Sequence, residues 1–176
     1  KAGHAGGGDI SAFVHRFAML QRAVAAENSF VVTDIEAKRS TPSYSIDTVN
    51  ILLSKVGKDA QLFFIIGADA FFEIETWKQY KELPNLVNFV VISRPGYPPE
   101  KVGEVIRRNF TDYTFDPGPG TWGSRQSKGS FILLRMEPVP ISSTEIRDKV
   151  GRGEDISGLV PQGVADYIRD EHLYVA

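Results

Sequence analysis

A chain of 176 residues is long enough to bury a core without metal or disulfide staples, and one domain over residues 1–176 accommodates it. Its formal charge of -2 gives no bulk attraction to nucleic acid or to an anionic membrane, so neither partner is expected and any phosphate ligand has to be held by local groups. With no cysteine, disulfides, thiolate metal sites and cysteine nucleophiles are excluded.

His4, His15 and His172 lie far apart and share no ligand spacing, so no protein-held metal site is expected. No apolar run is long enough to span a bilayer, and the N-terminal residues lack a signal-peptide core. The expected location is cytoplasmic.

Residues 1–9 hold four glycines and read as a mobile segment. Phe13, Phe17, Leu20 and Val24 then recur at helical spacing. Phe30-Val31-Val32 is strand-like, residues 33–43 are polar and loop-like, and Ile46, Val49, Leu53 and Val56 mark a second amphipathic helix closed by Gly57. The runs Leu62-Phe63-Phe64-Ile65-Ile66, Phe89-Val90-Val91-Ile92 and Phe131-Ile132-Leu133-Leu134 are continuously apolar, the pattern of strands buried on both faces. Between them lie short helical stretches over residues 70–86 and 100–109. This alternation predicts an α/β fold, a Rossmann-like parallel sheet with helices on both faces.

Residues 111–130 are rich in glycine, proline and serine and predict a long loop, interrupting at most a weak strand near residues 113–115. Trp122 within it is expected to cover an apolar patch. Val164, Tyr167 and Ile168 share one face of a last helix that starts at or near Pro161.

In an open parallel sheet, ligands bind outside the carboxyl ends of the strands. Three motifs fall at such ends. Ile66 leads into Gly67-Ala68-Asp69, where glycine allows close backbone approach and a carboxylate can accept two hydrogen bonds from a ribose diol, although Asp69 could equally cap the next helix. Ile92 leads into Ser93-Arg94-Pro95-Gly96, with Arg94 free to meet a phosphate or a surface carboxylate. The third strand leads into Ile141-Ser142-Ser143-Thr144-Glu145-Ile146-Arg147, in which Ser142 and Glu145 form a capping box and Arg147 adds a forked cation one turn on. Thr76-Trp77-Lys78-Gln79 repeats the capping-box pattern, and Trp77 offers a plane for a base, with core packing as the alternative.

Taken together with Pro42-Ser43-Tyr44-Ser45-Ile46-Asp47-Thr48 and the closing Leu159-Val160-Pro161, these motifs, in this order, resemble the bacterial nicotinate-nucleotide adenylyltransferases. The resemblance implies a nucleotidyltransferase of NAD biosynthesis that joins nicotinate mononucleotide to ATP, with Mg2+. It places the adenosine ribose at Gly67 and Asp69, the ATP phosphates at Ser142, Ser143 and Arg147 with Arg94 nearby, and Arg147 as stabiliser of transition-state charge. Trp77 would stack on the pyridine, and the Tyr44-Ser45-Ile46 segment and the backbone of Lys78 would meet the nicotinate carboxylate. Donors placed for a carboxylate imply a preference for the acid over the amide.

One family feature does not occur in these residues. The family opens with a strand and G-G-x-F-[DN]-P-x-H-x-G-H, whose histidines stabilise the triphosphate, and Lys1 matches the lysine that ends a later Pro-Pro-His-Lys loop. The chain is therefore expected to be the C-terminal portion of a larger polypeptide, with activity requiring the preceding strand-helix-strand segment and with apolar sheet edges exposed without it. Alternatives are an adenylyltransferase for nicotinamide mononucleotide or another acceptor, and a non-catalytic nucleotide-binding module. Self-association as a homo-oligomer is left open.

Overall fold

The computed structural model describes residues 11–40, 42–57 and 59–175, and the expected mobile segment 1–9 lies outside them. In chain order the elements are α1 (Phe13–Ala23), α2 (Ser45–Val56), β1 (Phe63–Gly67), α3 (Ala68–Phe72), β2 (Asn88–Ile92), α4 (Pro99–Asn109), β3 (Thr114–Asp116), β4 (Thr121–Gly123), β5 (Phe131–Leu134), α5 (Ser143–Gly151) and α6 (Gln162–Asp170). Single 3-10 turns lie at Ile74–Thr76 and Leu83–Asn85. These residues form two compact units, one of residues 42–138 and one of residues 11–40 with 139–175.

The first unit is built on a sheet of order β1-β2-β5-β4-β3. The three apolar runs pair in parallel, and β4 and β3 extend the sheet antiparallel. The register aligns Phe64 with Phe89 and Phe89 with Phe131, so three aromatic rings stand in a row on one face. Phe89 and Phe131 stack with centroids 5.3 Å apart, and Phe71 of α3 meets Phe131 edge-on at 5.8 Å. Ile46 and Val49 of α2 and Val102, Val105 and Ile106 of α4 complete this core. Each fully buried ring contributes about 1.5–3 kcal/mol of transfer free energy.

The helices follow from local signals. Ile46, Val49 and Leu53 turn one stripe of α2 inward, and the helix stops at Gly57, whose φ of 94° suits glycine alone. On α4, Val102, Gly103, Val105 and Ile106 are buried while Arg107 and Arg108 stay outside. Trp122 of β4 is 7% exposed and lies over α4, where a methyl group at Gly103 would stand 3.2 Å from its ring. It covers an apolar patch, as expected, and Phe115 on β3 lies 4.8 Å from it. Within residues 111–130, β3 is the weak strand expected near residues 113–115, and it pairs with β4 in a short hairpin whose tryptophan packs on the core, while residues 124–130 are loop.

The α/β class is as expected, with three corrections. First, β1 is not buried on both faces: Phe63 and Ile65 are 54% and 65% exposed while Ile66 is buried. The helices of this unit bury the face carrying Phe64, Phe89 and Phe131, and Val90 and Ile132 of the other face are only half-buried. Second, Phe30-Val31-Val32 forms no strand; among the described residues nothing pairs with it, and Val31 is 88% exposed. Strand propensity becomes a strand only where a ladder partner is supplied. Third, Thr76 starts no helix: Trp77 is extended, with φ -82° and ψ 144°, and Gln79 has a φ of 52°.

In the second unit α1 and α6 pack together. A methyl group at Gly163 of α6 would stand 3.6 Å from Arg22 Cβ, and the Arg22 guanidinium sits 4.2 Å over the Tyr167 ring. His15 Nδ1 lies 3.0 Å from the Tyr167 hydroxyl. A small core of Ile156, Val164 and Ile168 joins Met19 and Ala23 of α1 to Ile146 and Val150 of α5. No helix among the described residues is long and apolar enough to cross a membrane.

Candidate functional site

In the first unit, the carboxyl ends of neighbouring parallel strands carry Gly67 and, two residues past β2, Arg94. Gly67 is the N-cap of α3, and Asp69 lies within the first turn and not at the cap position. The Asp69 carboxylate is paired with Arg94, Nε to Oδ1 at 3.2 Å, in an exposed ion pair.

Arg94 begins a tight turn through Pro95 and Gly96, closed by the Tyr97 N–H donating to the Arg94 carbonyl at 3.1 Å. Proline at the second position and a φ of 80° at Gly96 are the requirements of a type II turn. Tyr97 then packs edge-on against Phe72 of α3, with centroids 5.6 Å apart. The turn is thereby fixed to the helix that carries Asp69.

A second cluster forms at the start of α2. Tyr44 is the extended N-cap, so the first N–H groups of the helix, those of Ser45 and Ile46, precede its internal bonding. The Ile46 side chain is 2% exposed and belongs to the core, which leaves its backbone as the only part able to meet a ligand. Lys78, on the turn after Trp77, reaches this helix start: its ammonium lies 3.2 Å from Asp47 Oδ2 and 4.8 Å over the Tyr44 ring. Trp77 is half-buried and meets Phe64 of β1 edge-on at 5.8 Å. The Asp47 side chain and the Lys78 ammonium were given no role from the sequence. The acidic residue in the first turn of α2 is a local signal, but a partner 31 residues away is not.

The second unit carries the hydroxyl-rich helix start. Ser142 is the N-cap of α5, and its Oγ accepts from the Glu145 N–H at 3.1 Å, as the capping box requires. The Arg147 guanidinium donates to Thr144 Oγ1 at 3.2 Å. Ser142, Ser143 and Thr144 are exposed. A cavity of about 510 Å³ in the first unit, lined by Leu53, Leu62, Asn88 and Lys128 among others, lies at the amino ends of the strands, and none of the residues expected to bind lines it.

Parallel strands ending in Gly-x-Asp, an arginine turn beside it and a tryptophan turn along the same unit define an α/β nucleotide-binding protein. The cytidylyltransferase-like family model matches residues 4–149. Relatives include probable nicotinate-nucleotide adenylyltransferases of Geobacter sp., 36% identical over 169 residues (96% of this chain, 77% of the relative), and of Pseudomonas aeruginosa, 35% identical over 165 residues (92% and 73%). That of Chromobacterium violaceum is 30% identical over 172 residues (95% and 77%). Among solved structures, a Plasmodium falciparum nicotinic acid mononucleotide adenylyltransferase complexed with NaAD aligns with a TM-score of 0.63 at 18% identity, covering 95% of this chain and 76% of that one. At that identity the likeness shows the fold alone. The chain belongs to the cytidylyltransferase-like family and, within it, to the nicotinate-nucleotide adenylyltransferases.

Proposed function

We propose that this protein transfers the adenylyl group of ATP to nicotinate mononucleotide, forming deamido-NAD and pyrophosphate in the cytoplasm. The observation that carries the reading is that, in a chain of this family, one unit holds both a carboxylate at a glycine-marked strand end, Asp69, and an aromatic turn, Trp77, braced to the start of α2.

The roles follow from the chemistry of each group. Asp69 accepts hydrogen bonds from the adenosine ribose, and Gly67 leaves room beside it. Trp77 stacks on the pyridine ring, while the N–H groups of Ser45 and Ile46, the Tyr44 segment and the Lys78 backbone supply donors for the nicotinate carboxylate. Ser142, Ser143 and the first turn of α5 donate to the triphosphate, and Arg94 and Arg147 neutralise it.

An oxygen of the mononucleotide phosphate attacks the α-phosphorus of ATP, and the bond from that phosphorus to the bridging oxygen breaks, releasing pyrophosphate. Positioning and charge stabilisation supply the catalysis, with Arg147 taking up charge that grows in the transition state. Magnesium would enter bound to the phosphate oxygens of ATP, since Mg2+ gives up its waters reluctantly and is held through substrate phosphates rather than by an all-protein cage, and there it would offset the charge of the triphosphate.

The test supplies the protein, as its natural polypeptide, with ATP and magnesium and either nicotinate mononucleotide or the amide. Faster pyrophosphate release with the acid supports the reading. A faster rate with the amide reassigns the acceptor, and nucleotide binding without pyrophosphate release replaces catalysis by binding.

A further inference from the structure

The strand end that carries Gly67 is occupied by the protein's own side chains. The Arg94 guanidinium reaches over Gly67 to Asp69, and a methyl group at position 67 would fall 2.5 Å from Arg94 Nε and still nearer Asp69 Oδ1. Glycine is needed here for the ion pair itself to lie against the backbone. The main chain of Arg94 is held by its turn hydrogen bond and by Tyr97 on Phe72, whereas its side chain is 59% exposed. The guanidinium is therefore a solvent-accessible group on a fixed base, engaging the carboxylate that a ribose diol would need.

We propose that the Arg94–Asp69 pair is an exchangeable latch that makes the site selective for phosphorylated nucleosides. The ribose diol displaces the guanidinium from Asp69, and the freed guanidinium moves to a phosphate of the same ligand. This rests on the assignment of Asp69 to the ribose made above.

An exposed pair of this kind is worth about a two- to fivefold factor in an equilibrium constant, small enough to exchange. A bare nucleoside breaks the pair and offers Arg94 nothing in return. A nucleotide exchanges one anionic partner for another, and phosphate oxygens accept both arms of the guanidinium. Arg94 thus weakens nucleoside binding and strengthens nucleotide binding, opposite effects that a purely structural residue does not produce.

The test is calorimetric titration of adenosine and of ATP into the wild-type protein and Arg94→Met, which keeps the apolar stem, at low and high salt. Arg94→Met is expected to bind adenosine about two- to fivefold more tightly and ATP more weakly. Adenosine is uncharged, so its affinity for the wild type is expected to rise with salt, which screens the pair, and to be insensitive to salt in the variant. Adenosine binding that is unchanged or weaker in Arg94→Met, or insensitive to salt in the wild type, overturns the latch. Adding Asp69→Ala to Arg94→Met tests the ribose assignment alone. If that change weakens adenosine binding while Arg94→Met gave no gain, only the latch falls; if it leaves adenosine binding unchanged, the ribose assignment falls too.

Discussion

The ammonium of Lys78 stands 3.2 Å from the carboxylate of Asp47, bracing the turn that carries Trp77 against the first turn of α2. Both side chains are partly exposed, so the brace adds little to folding stability and acts on position. Asp47→Asn is expected to change unfolding free energy by less than about 0.5 kcal/mol in urea denaturation. It is expected to raise the KM for nicotinate mononucleotide while leaving that for ATP alone. A rise for ATP alone would place the brace outside the pyridine subsite.

Trp77→Ala removes the stacking plane, and base–aromatic stacking is worth about 1–3 kcal/mol. The mononucleotide KM should therefore rise by about tenfold with a smaller effect on ATP, and Trp77→Phe should recover most of the loss. Arg147→Ala should do the reverse, lowering kcat and weakening ATP more than the acceptor. Steady-state kinetics with each substrate varied in turn decides it; equal effects on both substrates would remove the division into two subsites.

Gly129 is held between carbonyl groups. Its N–H donates to the Pro84 carbonyl at 2.9 Å, its own carbonyl accepts from the buried Tyr113 hydroxyl at 3.2 Å, and a methyl group there would overlap the Val87 and Pro84 carbonyl oxygens. Tyr113→Phe should destabilise by about 1–2 kcal/mol, the cost of leaving a buried carbonyl unpaired. Gly129→Ala should cost more, because backbone and not a flexible side chain has to move. Thermal melts of both variants, followed by circular dichroism, check the order.

At the end of α5, Glu154 lies between Arg152 and Lys149. The hydrogen bond from Arg152, and then that from Lys149, hold its carboxyl down to about 2, against an ordinary 4.5. A depressed folded-state pKa stabilises the fold fully above the unfolded value, and that contribution is lost as pH falls from about 4.5 towards 2. Carboxyl-carbon NMR titration should find the low midpoint in the wild type. Arg152→Ala should move it upward.

Much of this fold was legible because the deciding signals are local. Gly57 ends α2, Ser142 caps α5, and the three apolar runs give the parallel strands where they were expected. What escaped depends on partners distant in sequence. An apolar run reads the same whether one face is covered or both, so the exposure of Phe63 and Ile65 was hidden, and Phe30-Val31-Val32 looks like a strand until the ladder is sought. The Thr76–Gln79 pattern has the residues of a capping box without the backbone of one. Of the site, Gly67, Asp69 and Arg94 do gather at adjacent strand ends, but their mutual contact and the Lys78–Asp47 brace are tertiary facts. The meeting of Arg147 with the triphosphate stands as a proposal.

The central claim is that one unit offers an adenylate subsite at Asp69 and a pyridine subsite at Trp77, and titration of deamido-NAD into the wild type, Asp69→Ala and Trp77→Ala measures both ends of one ligand. Each variant should weaken binding, Trp77→Ala by about tenfold, while adenosine binding falls only in Asp69→Ala. Deamido-NAD binding equally well to all three proteins would contradict the account.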